Sequence, residues 1–428
     1  MPNKQYSTTI TLPRGTLDLT YQTNTVTDSS NSEKSNSYEL EDLLDFAQRI
    51  NPKRAFLFVS KILGRHIPVA PKTMRSAFTD LANLVPNHLP EPILVIGMAE
   101  TAVGLSAGVH QALQTRYPQA LLLNSTRHAQ HKGLDTDAIF TTFSEDHSHA
   151  SQHLIYKSKD ESVQKQLLAS KTLIMVDDEA STGNTCVNVV TALRNAGIEH
   201  LEQAHLTTLV DWSLDKNQNP NQGSSDADDT IAKRLPNIDF HRHHLLSGAW
   251  TWTDAPNPEP IIMPSVDTTE AGSQVLMNTG NWGRFPTLDS TDGFDNYLLS
   301  FQSAFAEFSK QTQFDKEQLP QRILVLGSNE FVWLPFLLAE WLEQNTNVEH
   351  SSHTVKFSAL TRSPIALGGG ITTMLSFNDN YGLGMTNFAY NVELSEWDLI
   401  VLCVETAADS VDKLWQDLDN VLVVSPTL

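Results

Sequence analysis

Two kinds of apolar pattern alternate along the chain: mostly apolar runs, and stretches in which apolar residues recur every three or four positions. In the N-terminal half, the runs predict the strands EPILVIGM, KTLIMVDD and HLEQAHLTTLVDW. The periodic stretches predict the helices TAVGLSAGVHQALQTRY and TCVNVVTALRNAG, the second closed by Gly197. Strand–helix–strand order with continuously apolar strands is typical of a doubly wound parallel sheet. This half therefore predicts an α/β domain.

The same alternation resumes after residue 320. The predicted strands are RILVLG, TVKFSAL, WDLIVLCVE and NVLVVS, and the stretch EFVWLPFLLAEWLEQ predicts a helix after the first of them. We therefore expect a second, smaller, Rossmann-like α/β domain at the C-terminal end.

Polar segments separate these units. Residues 22–38 are serine-rich and follow a short predicted strand, Thr16–Tyr21, while residues 215–230 predict a surface loop. Residues 253–292 carry scattered Pro, Gly and Asp and predict an irregular connection. The expected regions are a main domain, an irregular connection and a smaller domain, at residues 36–250, 251–319 and 320–428.

Charge and cysteine content narrow the class of protein. The formal net charge of -21 argues against broad contact with nucleic acid or an anionic membrane, although a small anion in a local pocket remains compatible with it. Two cysteines cannot form a disulfide framework. The N-terminus lacks the apolar core of a signal peptide, and the longest mostly apolar run, Ile93–Val109, is short for a membrane span. We expect a soluble cytoplasmic protein.

The candidate chemistry begins where one predicted strand ends. Asp177 and Asp178 follow an apolar run, and a turn of small residues containing Gly183 leads into the next helix. Ligands of open α/β sheets bind beyond the carboxyl ends of the strands, and a helix N-terminus favours an anion. A phosphate in the turn and two carboxylates facing hydroxyls together suit a sugar phosphate.

The stretch VDDEASTGNT resembles the signature of type I phosphoribosyltransferases. The resemblance implies that Asp177 and Asp178 contact the ribose hydroxyls of phosphoribosyl pyrophosphate (PRPP). It also implies that the following loop binds the 5-phosphate, through Ala180, Ser181, Thr182, Gly183, Asn184 and Thr185. An ordinary strand–helix junction with aspartate caps is the alternative. A dinucleotide site is disfavoured, since no G-x-G-x-x-G follows a predicted strand.

The stretch VIGMAETAVG occupies the place of the family's pyrophosphate loop. The resemblance implies that backbone N–H groups face the diphosphate, from Met98, Ala99, Glu100 and Thr101. Glu100 departs from the family pattern, which has a basic or small residue there. An acid beside a diphosphate is unfavourable unless a magnesium ion lies between them, so the role of Glu100 stays open.

A closer resemblance covers residue 36 to the C-terminus. The motif LTRSPI (Leu360–Ile365), with RINPKRAFLFVSKILGRHIP and FSEDHSHASQHLIY, is similar to phosphoribosyltransferase-like proteins of bacterial tellurite-resistance operons, whose C-terminal part is named TRSP. It implies a phosphoribosyltransferase in a tellurite- or stress-resistance pathway. PRPP and an unidentified base or nucleotide would be its partners, with Mg²⁺ bound mainly through PRPP. A homodimer is left open.

Histidines lie between the two motifs, in SEDHSHASQH, where type I enzymes carry a loop that closes over the reacting centre. We assign Glu145, His147 and His149 as catalytic candidates on such a lid. The spacing of His147, His149 and His153 also permits a metal site, and a solvated polar loop is the third alternative. We predict no dedicated protein metal site.

A basic cluster precedes both motifs, at Lys53, Arg54, Lys61 and Arg65. It predicts either a hood over the base or a charged surface above core residues such as Phe56 and Phe58.

The second domain has polar groups at its own predicted strand ends. We expect them to form an anion site for phosphate or carboxylate, with Glu330, Thr361, Arg362, Ser363 and Arg284 as members. On this hypothesis Arg362→Lys leaves PRPP binding unchanged. Capping and salt bridges are the alternative, and the glycine run LGGGIT is a weak phosphate signal.

The predicted function is transfer of the phosphoribosyl group of PRPP to a nitrogenous base, or the reverse reaction. A non-catalytic protein that senses PRPP or a nucleotide is the main alternative. A structural partner in a multiprotein complex is the third.

Overall fold

The strands of the computed structural model are, in chain order, β1 Gln5–Leu12, β2 Gly15–Thr23, β3 Thr25–Thr27, β4 Ser35–Ser37, β5 Leu44–Gln48, β6 Phe56–Ser60, β7 Ile93–Gly97, β8 Leu121–Asn124, β9 Ile139–Ser144, β10 Gln152–Tyr156, β11 Thr172–Ala180, β12 Gln203–Asp211, β13 Asp239–Asp254, β14 Arg322–Ser328, β15 Thr354–Leu360, β16 Met374–Asn378, β17 Thr386–Tyr390, β18 Leu399–Cys403 and β19 Val421–Val424. The α-helices are α1 Leu40–Leu43, α2 Pro71–Leu84, α3 Val103–Leu113, α4 Glu161–Leu168, α5 Asn184–Asn195, α6 Phe294–Thr312, α7 Trp333–Thr346 and α8 Lys413–Gln416. Short 3₁₀ turns lie at Leu394–Glu396 and Ala408–Ser410. The structure describes residues 4–27, 35–49, 54–127, 138–144, 152–214, 231–258, 260–265, 274–312, 319–346 and 353–426.

A seven-stranded sheet, in the order β1-β2-β13-β12-β11-β7-β8, forms the centre of the main domain. Strands β13, β12, β11, β7 and β8 are parallel. The apolar runs predicted β7, β11 and β12 of these, whereas β8 and β13 were not predicted. All five residues of β7 are buried, because helices cover both faces of a parallel sheet. Since β7 pairs directly with β11, the loops that follow these two strands meet at one edge of the sheet.

The main sheet begins earlier than residue 36, where we expected the domain to start. Strands β1 and β2 form a hairpin, and β2 pairs antiparallel with β13 from Leu246 to Asp254. Exposed residues alternate with partly buried ones along most of β1, as in an edge strand with one face toward solvent. The predicted strand Thr16–Tyr21 lies within β2.

The second domain has a four-stranded parallel sheet in the order β15-β14-β18-β19. This is the smaller Rossmann-like unit that the sequence predicted. Helix α7 connects β14 to β15 and packs on both. Within the described part of the chain, no helix is long and apolar enough to cross a membrane.

The segment 251–319 is more regular than we expected. Helix α6 packs against β19, and the Tyr297 hydroxyl donates a hydrogen bond to the carbonyl of Val424 at 2.9 Å. Before α6, Thr287 exchanges two backbone hydrogen bonds with Leu122 in β8, at 2.8 and 3.0 Å. This connection is therefore attached to both sheets.

The two domains share a continuous hydrophobic core. Helix α2 of the main domain packs on α7, where the rings of Phe78 and Phe336 lie 5.4 Å apart. Val69 and Phe357 exchange backbone hydrogen bonds of 2.9 and 2.8 Å, which joins the chain before α2 to β15. The second domain is thereby fixed beside the carboxyl ends of the main sheet.

Candidate active site

A cavity of about 430 Å³ lies beyond the carboxyl ends of β7 and β11. Its wall includes the acidic residues Asp177, Asp178 and Glu179, the loop 180–185, and Met98, Ala99, Thr101, Arg127, Arg49, Arg54, Leu57, Trp212 and Trp250. The structure thus brings both sequence motifs to one pocket. Arg127, Trp212 and Trp250 are additions that no local motif in the sequence indicated.

Residues Ala180–Thr185, here called the phosphate loop, connect β11 to the start of α5. Gly183 immediately precedes the helix with φ of 75°, a left-handed conformation that favours glycine. Ser181 and Thr182 are exposed, and the Thr182 hydroxyl accepts a hydrogen bond from the N–H of Asn184 at 3.3 Å. The loop therefore presents a helix N-terminus and hydroxyl groups to the cavity, which suits a phosphate.

An arginine that we did not predict supports the phosphate loop. Arg242 of β13 donates hydrogen bonds to the carbonyls of Ser181 and Thr182, both at 3.4 Å. It also forms a buried ion pair with Asp211 at 2.9 Å. The sequence around Arg242, HRHH, did not predict this role, because only the pairing of β12 with β13 brings Arg242 to the loop.

The acidic pair stands at the end of β11. Asp177 accepts a hydrogen bond from the N–H of Asp178 at 3.0 Å, and Asp178 accepts one from the Thr101 hydroxyl at 3.2 Å. Burial and the neighbouring charge of Glu179 raise the pKa of Asp178. Glu179 itself pairs with Arg54 at 2.7 Å. Asp177 and Asp178 both lie at the cavity wall.

Residues Met98–Thr101, here called the pyrophosphate loop, follow β7. The N–H of Met98 donates to the carbonyl of Val176 at 3.3 Å, and that of Ala99 to the Ser125 hydroxyl at 3.0 Å. These two N–H groups are therefore engaged within the protein, contrary to the expectation that they face the diphosphate. Among the described residues, none accepts a hydrogen bond from the N–H of Glu100 or Thr101. The Ala99–Glu100 peptide is cis.

Glu100 is buried and does not line the cavity. Its carboxylate lies 3.8 Å from the Arg362 guanidinium of the second domain, and its backbone carbonyl accepts a hydrogen bond from Arg65. The acid that departs from the family pattern is therefore paired with the arginine of the TRSP motif.

The lid candidates Glu145, His147 and His149 lie outside the described residues. His153 is buried in β10, where its ring stacks on Phe143 and its Nδ1 lies 2.9 Å from the Ser125 hydroxyl. Over the part of the chain that the structure covers, no three His, Cys, Asp or Glu side chains form a metal-binding group. His153 supports the pyrophosphate loop through Ser125.

Strands β5 and β6, here called the hood, cover one side of the cavity. Phe58 stacks on Trp212 with ring centroids 4.4 Å apart, and Phe56 meets Trp250 edge-to-face at 5.0 Å. These contacts place Arg49, Arg54 and Leu57 at the cavity wall. Burial, followed by the proximity of Arg54, lowers the pKa of Arg49 to about 10.

The predicted basic cluster divides between different places. Arg54 lies at the cavity, whereas the Lys61 ammonium donates to the carbonyl of Glu41 at the surface, at 2.6 Å. Arg65 is buried between the domains, and Lys53 lies outside the described residues.

The second-domain residues that we grouped as an anion site each have protein partners. Arg284 forms a buried ion pair with Glu405 at 2.6 Å, and Glu330 accepts a hydrogen bond from the Thr126 hydroxyl at 2.6 Å. The Thr361 hydroxyl accepts one from the N–H of Ser363 at 3.2 Å. Arg284 and Arg362 thus each already face a carboxylate, the arrangement of the salt-bridge alternative. Anion binding here stays a prediction.

Comparison with family models follows this division of the chain. Residues 43–233 match the family described as phosphoribosyl transferase. Residues 296–421 match the TRSP domain that lies C-terminal to such a transferase domain. Residues 43–233 therefore form a domain of the phosphoribosyltransferase family, the class of pentosyl-transferring enzymes. Within that class the chain has the two-part architecture of a transferase domain followed by a TRSP domain.

Solved structures similar to the chain are phosphoribosyltransferases. The adenine enzyme of Giardia lamblia with 9-deazaadenine is 12% identical, covering 52% of this chain and 94% of that chain, with a TM-score of 0.26. The adenine enzyme of Trypanosoma brucei is 14% identical, covering 48% and 77%, with a TM-score of 0.30. The orotate enzyme of Aeropyrum pernix is 16% identical, covering 46% and 85%, with a TM-score of 0.25. No curated protein matches the chain.

Proposed function

We propose that the chain transfers the phosphoribosyl group of PRPP to a nitrogen atom of a base, or catalyses the reverse reaction. One observation carries the proposal: a single cavity is lined by the acidic pair, the phosphate loop and Thr101 of the pyrophosphate loop. A sugar with a phosphate substituent at each end needs such groups: acceptors for its hydroxyls, and a loop at each end for a phosphate. A smaller neighbouring cavity, which Arg65 and Phe357 line, includes Thr101 but neither the acidic pair nor the phosphate loop.

Each wall of the cavity suits one part of PRPP. Asp177 and Asp178 accept hydrogen bonds from the ribose hydroxyls. Residues 180–185 bind the 5-phosphate through N–H and hydroxyl groups at the start of α5. Thr101 donates its backbone N–H group to the diphosphate, and Arg127 supplies a positive charge nearby.

The base then lies under the hood. Trp212, Trp250 and Leu57 give an apolar wall against which a planar ring can pack, and Arg49 adds a donor. In the forward direction, the bond from C1 of the ribose to the diphosphate oxygen breaks with its electron pair leaving on the diphosphate. A nitrogen lone pair of the base forms the new bond to C1, and the proton of that nitrogen passes to the departed diphosphate or to water.

Catalysis by this site comes from positioning and charge stabilisation. The carboxylates beside C1 favour the positive charge that develops on the ribose as the diphosphate departs. The lid residues Glu145, His147 and His149 stay candidates for contacts with the departing diphosphate.

The donor set fits a magnesium ion that arrives with PRPP. Asp177 and Asp178 offer hard oxygen donors, while the described residues lack the cluster of three ligands that a resident ion would use. When bound, magnesium neutralises diphosphate charge. A role in tellurite or stress resistance is proposed on the motif resemblance alone. A cytoplasmic location rests on the low cysteine content, and a homodimer stays open.

The test replaces both acids by amides, in Asp177→Asn/Asp178→Asn. Calorimetry with PRPP and magnesium should show an affinity at least about tenfold lower, because each hydroxyl loses a charged acceptor worth about 1.5–3 kcal/mol. The matched control, Asp18→Asn/Asp239→Asn, removes two exposed carboxylates of the same sheet that do not line the cavity, and it should bind as the wild type does. Undiminished affinity in the folded first variant contradicts the proposal.

A second measurement separates the enzyme from the sensor. Purified protein, PRPP and magnesium are incubated with a bacterial metabolite extract, and mass spectrometry searches for a ribosylated product. An enzyme should release pyrophosphate only with the right acceptor. Tight PRPP binding without any product favours the non-catalytic sensor.

A further inference from the structure

The pyrophosphate loop is held from behind by the second domain. Arg65 is 4% exposed, and its guanidinium donates to three backbone carbonyls. One belongs to Glu100 in the loop, and the others belong to Asn329 at 2.8 Å and Leu360 at 3.1 Å, which follow or end strands of the second sheet. One buried cation therefore ties the loop to both of those strand ends.

A second tie runs through side chains. Arg362 lies two residues beyond the end of β15 and places its Nε 3.8 Å from the carboxylate of Glu100. Both side chains are shielded from water, at 15% and 6% exposure, so the attraction between them is stronger than at an open surface. The contact draws the Glu100 side chain away from the cavity.

A third tie fixes the next strand end. Glu330 accepts hydrogen bonds from the Thr126 hydroxyl at 2.6 Å and from the N–H of Arg127 at 2.9 Å. Arg127 lines the cavity, so Glu330 holds the backbone from which that cation reaches the ligand. Both cavity segments expected to face the diphosphate are thus anchored to second-domain carboxylates or cations.

The phosphate loop is supported differently. The side chains described around it belong to the main domain: Arg242 contacts two of its carbonyls, and Ile231 packs against Gly183. Loss of a second-domain contact should therefore act on one end of the ligand and spare the other.

We propose that the TRSP domain holds the diphosphate half of the pocket in its binding conformation, with Arg362 and Glu330 as positioning residues acting through Glu100 and Arg127. The proposal rests on the function proposed above, because it assigns the diphosphate to this half. The proposal assigns a role to Glu100, whose carboxylate anchors the pyrophosphate loop to the second domain. It also reverses the expectation that Arg362→Lys leaves PRPP binding unchanged.

The experiment compares three probes on the full chain with magnesium present: PRPP, inorganic pyrophosphate and ribose 5-phosphate. Arg362→Gln and Glu100→Gln should each weaken PRPP and pyrophosphate binding about tenfold, the effect of losing roughly 1.4 kcal/mol, with ribose 5-phosphate binding unchanged. The double variant should lose no more than either single one, because both remove the same contact. Arg362→Lys should recover part of the loss.

The matched control is Arg322→Gln, which breaks an exposed 2.8 Å ion pair with Asp398 in the same domain and should bind all three probes normally. An equal loss of affinity for all three probes in Arg362→Gln and Glu100→Gln would mean that these contacts only stabilise the fold, and it would overturn the proposal. So would wild-type affinity for pyrophosphate in both folded variants. If Arg362→Gln does not fold, Glu100→Gln, which keeps the side-chain size, decides alone. A wild type that binds no PRPP overturns the proposed function as well, and that outcome is distinct from the other two.

Discussion

The two loops that we propose to bind the phosphates follow neighbouring strands of one sheet, yet they are built in opposite ways. The phosphate loop is open to solvent at Ser181 and Thr182, and its shape comes from Gly183 and the start of α5. The pyrophosphate loop is buried at Met98, Ala99 and Glu100, and its partners come from distant parts of the chain.

The difference separates local from tertiary control of a binding site. The geometry of a turn that is set by a glycine and the start of a helix is determined by the residues of the turn itself. A buried loop with engaged N–H groups takes its geometry from the elements packed against it. The first kind is readable as a motif, whereas the second has to be observed in the fold.

The largest expected effect comes from breaking the second domain's attachment. Arg284 and Glu405 form a buried ion pair, and the Tyr381 hydroxyl also donates to Glu405 at 3.0 Å. Arg284→Met leaves Glu405 unpaired in the interior and should lower the free energy of unfolding by about 3–5 kcal/mol, as measured by urea denaturation. PRPP affinity at 25 °C should fall more than ribose 5-phosphate affinity.

The partner variant Arg284→Met/Glu405→Gln checks the cause. Removing the stranded charge should restore part of the lost stability. A double variant less stable than the single one would mean that packing around Arg284, including its position over the Trp282 ring, dominates over charge.

A smaller effect, on the opposite end of the ligand, is expected from Gly183→Ala. The left-handed φ of 75° disfavours alanine by roughly 1–2 kcal/mol, and a Cβ there would lie 2.7 Å from Ile231 Cδ1. Binding of PRPP and ribose 5-phosphate should weaken together by about tenfold, while pyrophosphate binding stays unchanged, in the same calorimetric comparison.

Gly197→Ala is the matched control for backbone strain. Gly197 has φ of 109° at the other end of α5, and its nearest obstacle is the Leu168 side chain at 3.6 Å. It should lose stability without losing affinity for any of the three probes. Equal affinity losses in the two glycine variants would show that the phosphate loop has no special role.

The smallest effect concerns the hydrogen bond that joins the pyrophosphate loop to the acidic pair. Thr101→Val removes the hydroxyl that donates to Asp178 and should weaken PRPP binding by only a fewfold, since one such bond contributes about 0.5–1.5 kcal/mol. The bond lowers the pKa of Asp178 against the larger effects of burial and Glu179, which raise it. Its loss should raise that pKa further.

The raised pKa of Asp178 determines how PRPP affinity should depend on pH. Because the pKa of Asp178 is raised in the folded protein, its proton returns at a higher pH than for an exposed aspartate, and PRPP affinity should fall as the pH is lowered through that value. Thr101→Val should move this loss to higher pH. The contribution of Asp178 to the free energy of unfolding has the opposite pH dependence. It is present below the pKa of Asp178 in the unfolded state and disappears as the pH rises through its pKa in the folded state. An unchanged acid limb would contradict the assignment of Asp178 to the ribose.

Sequence patterns predicted seven of the nine parallel strands, and they identified the acidic pair and the loop after it, which line the cavity, because both features have local causes. Continuous apolar runs marked β7, β11 and β14, and the acidic pair stood directly before a small-residue turn. Helix α6 was missed although Tyr297, Phe301 and Phe305 recur at helical spacing. The scattered Pro, Gly and Asp before it directed the interpretation toward an irregular segment.

Other parts of the site had no local cause to detect. Arg127, Trp212 and Trp250 reach the cavity from three different strand regions, and each residue type is ordinary in its own neighbourhood. The sequence showed that Glu100 is unusual, but the residue that pairs with its carboxylate, Arg362, lies 262 positions away in the chain. Pairings over such separations follow from how the two sheets pack.

The glycine run LGGGIT adds a consequence for the hood. Gly370 donates its N–H to the carbonyl of Phe46 at 2.8 Å, and a Cβ on Gly369 would lie 2.1 Å from that same oxygen. Only a chain without side chains can approach the hood strand this closely. The hood and the TRSP domain are therefore expected to change together in evolution. On the proposed function, a different base that requires a different shape of β5 also requires a compensating change more than three hundred residues downstream.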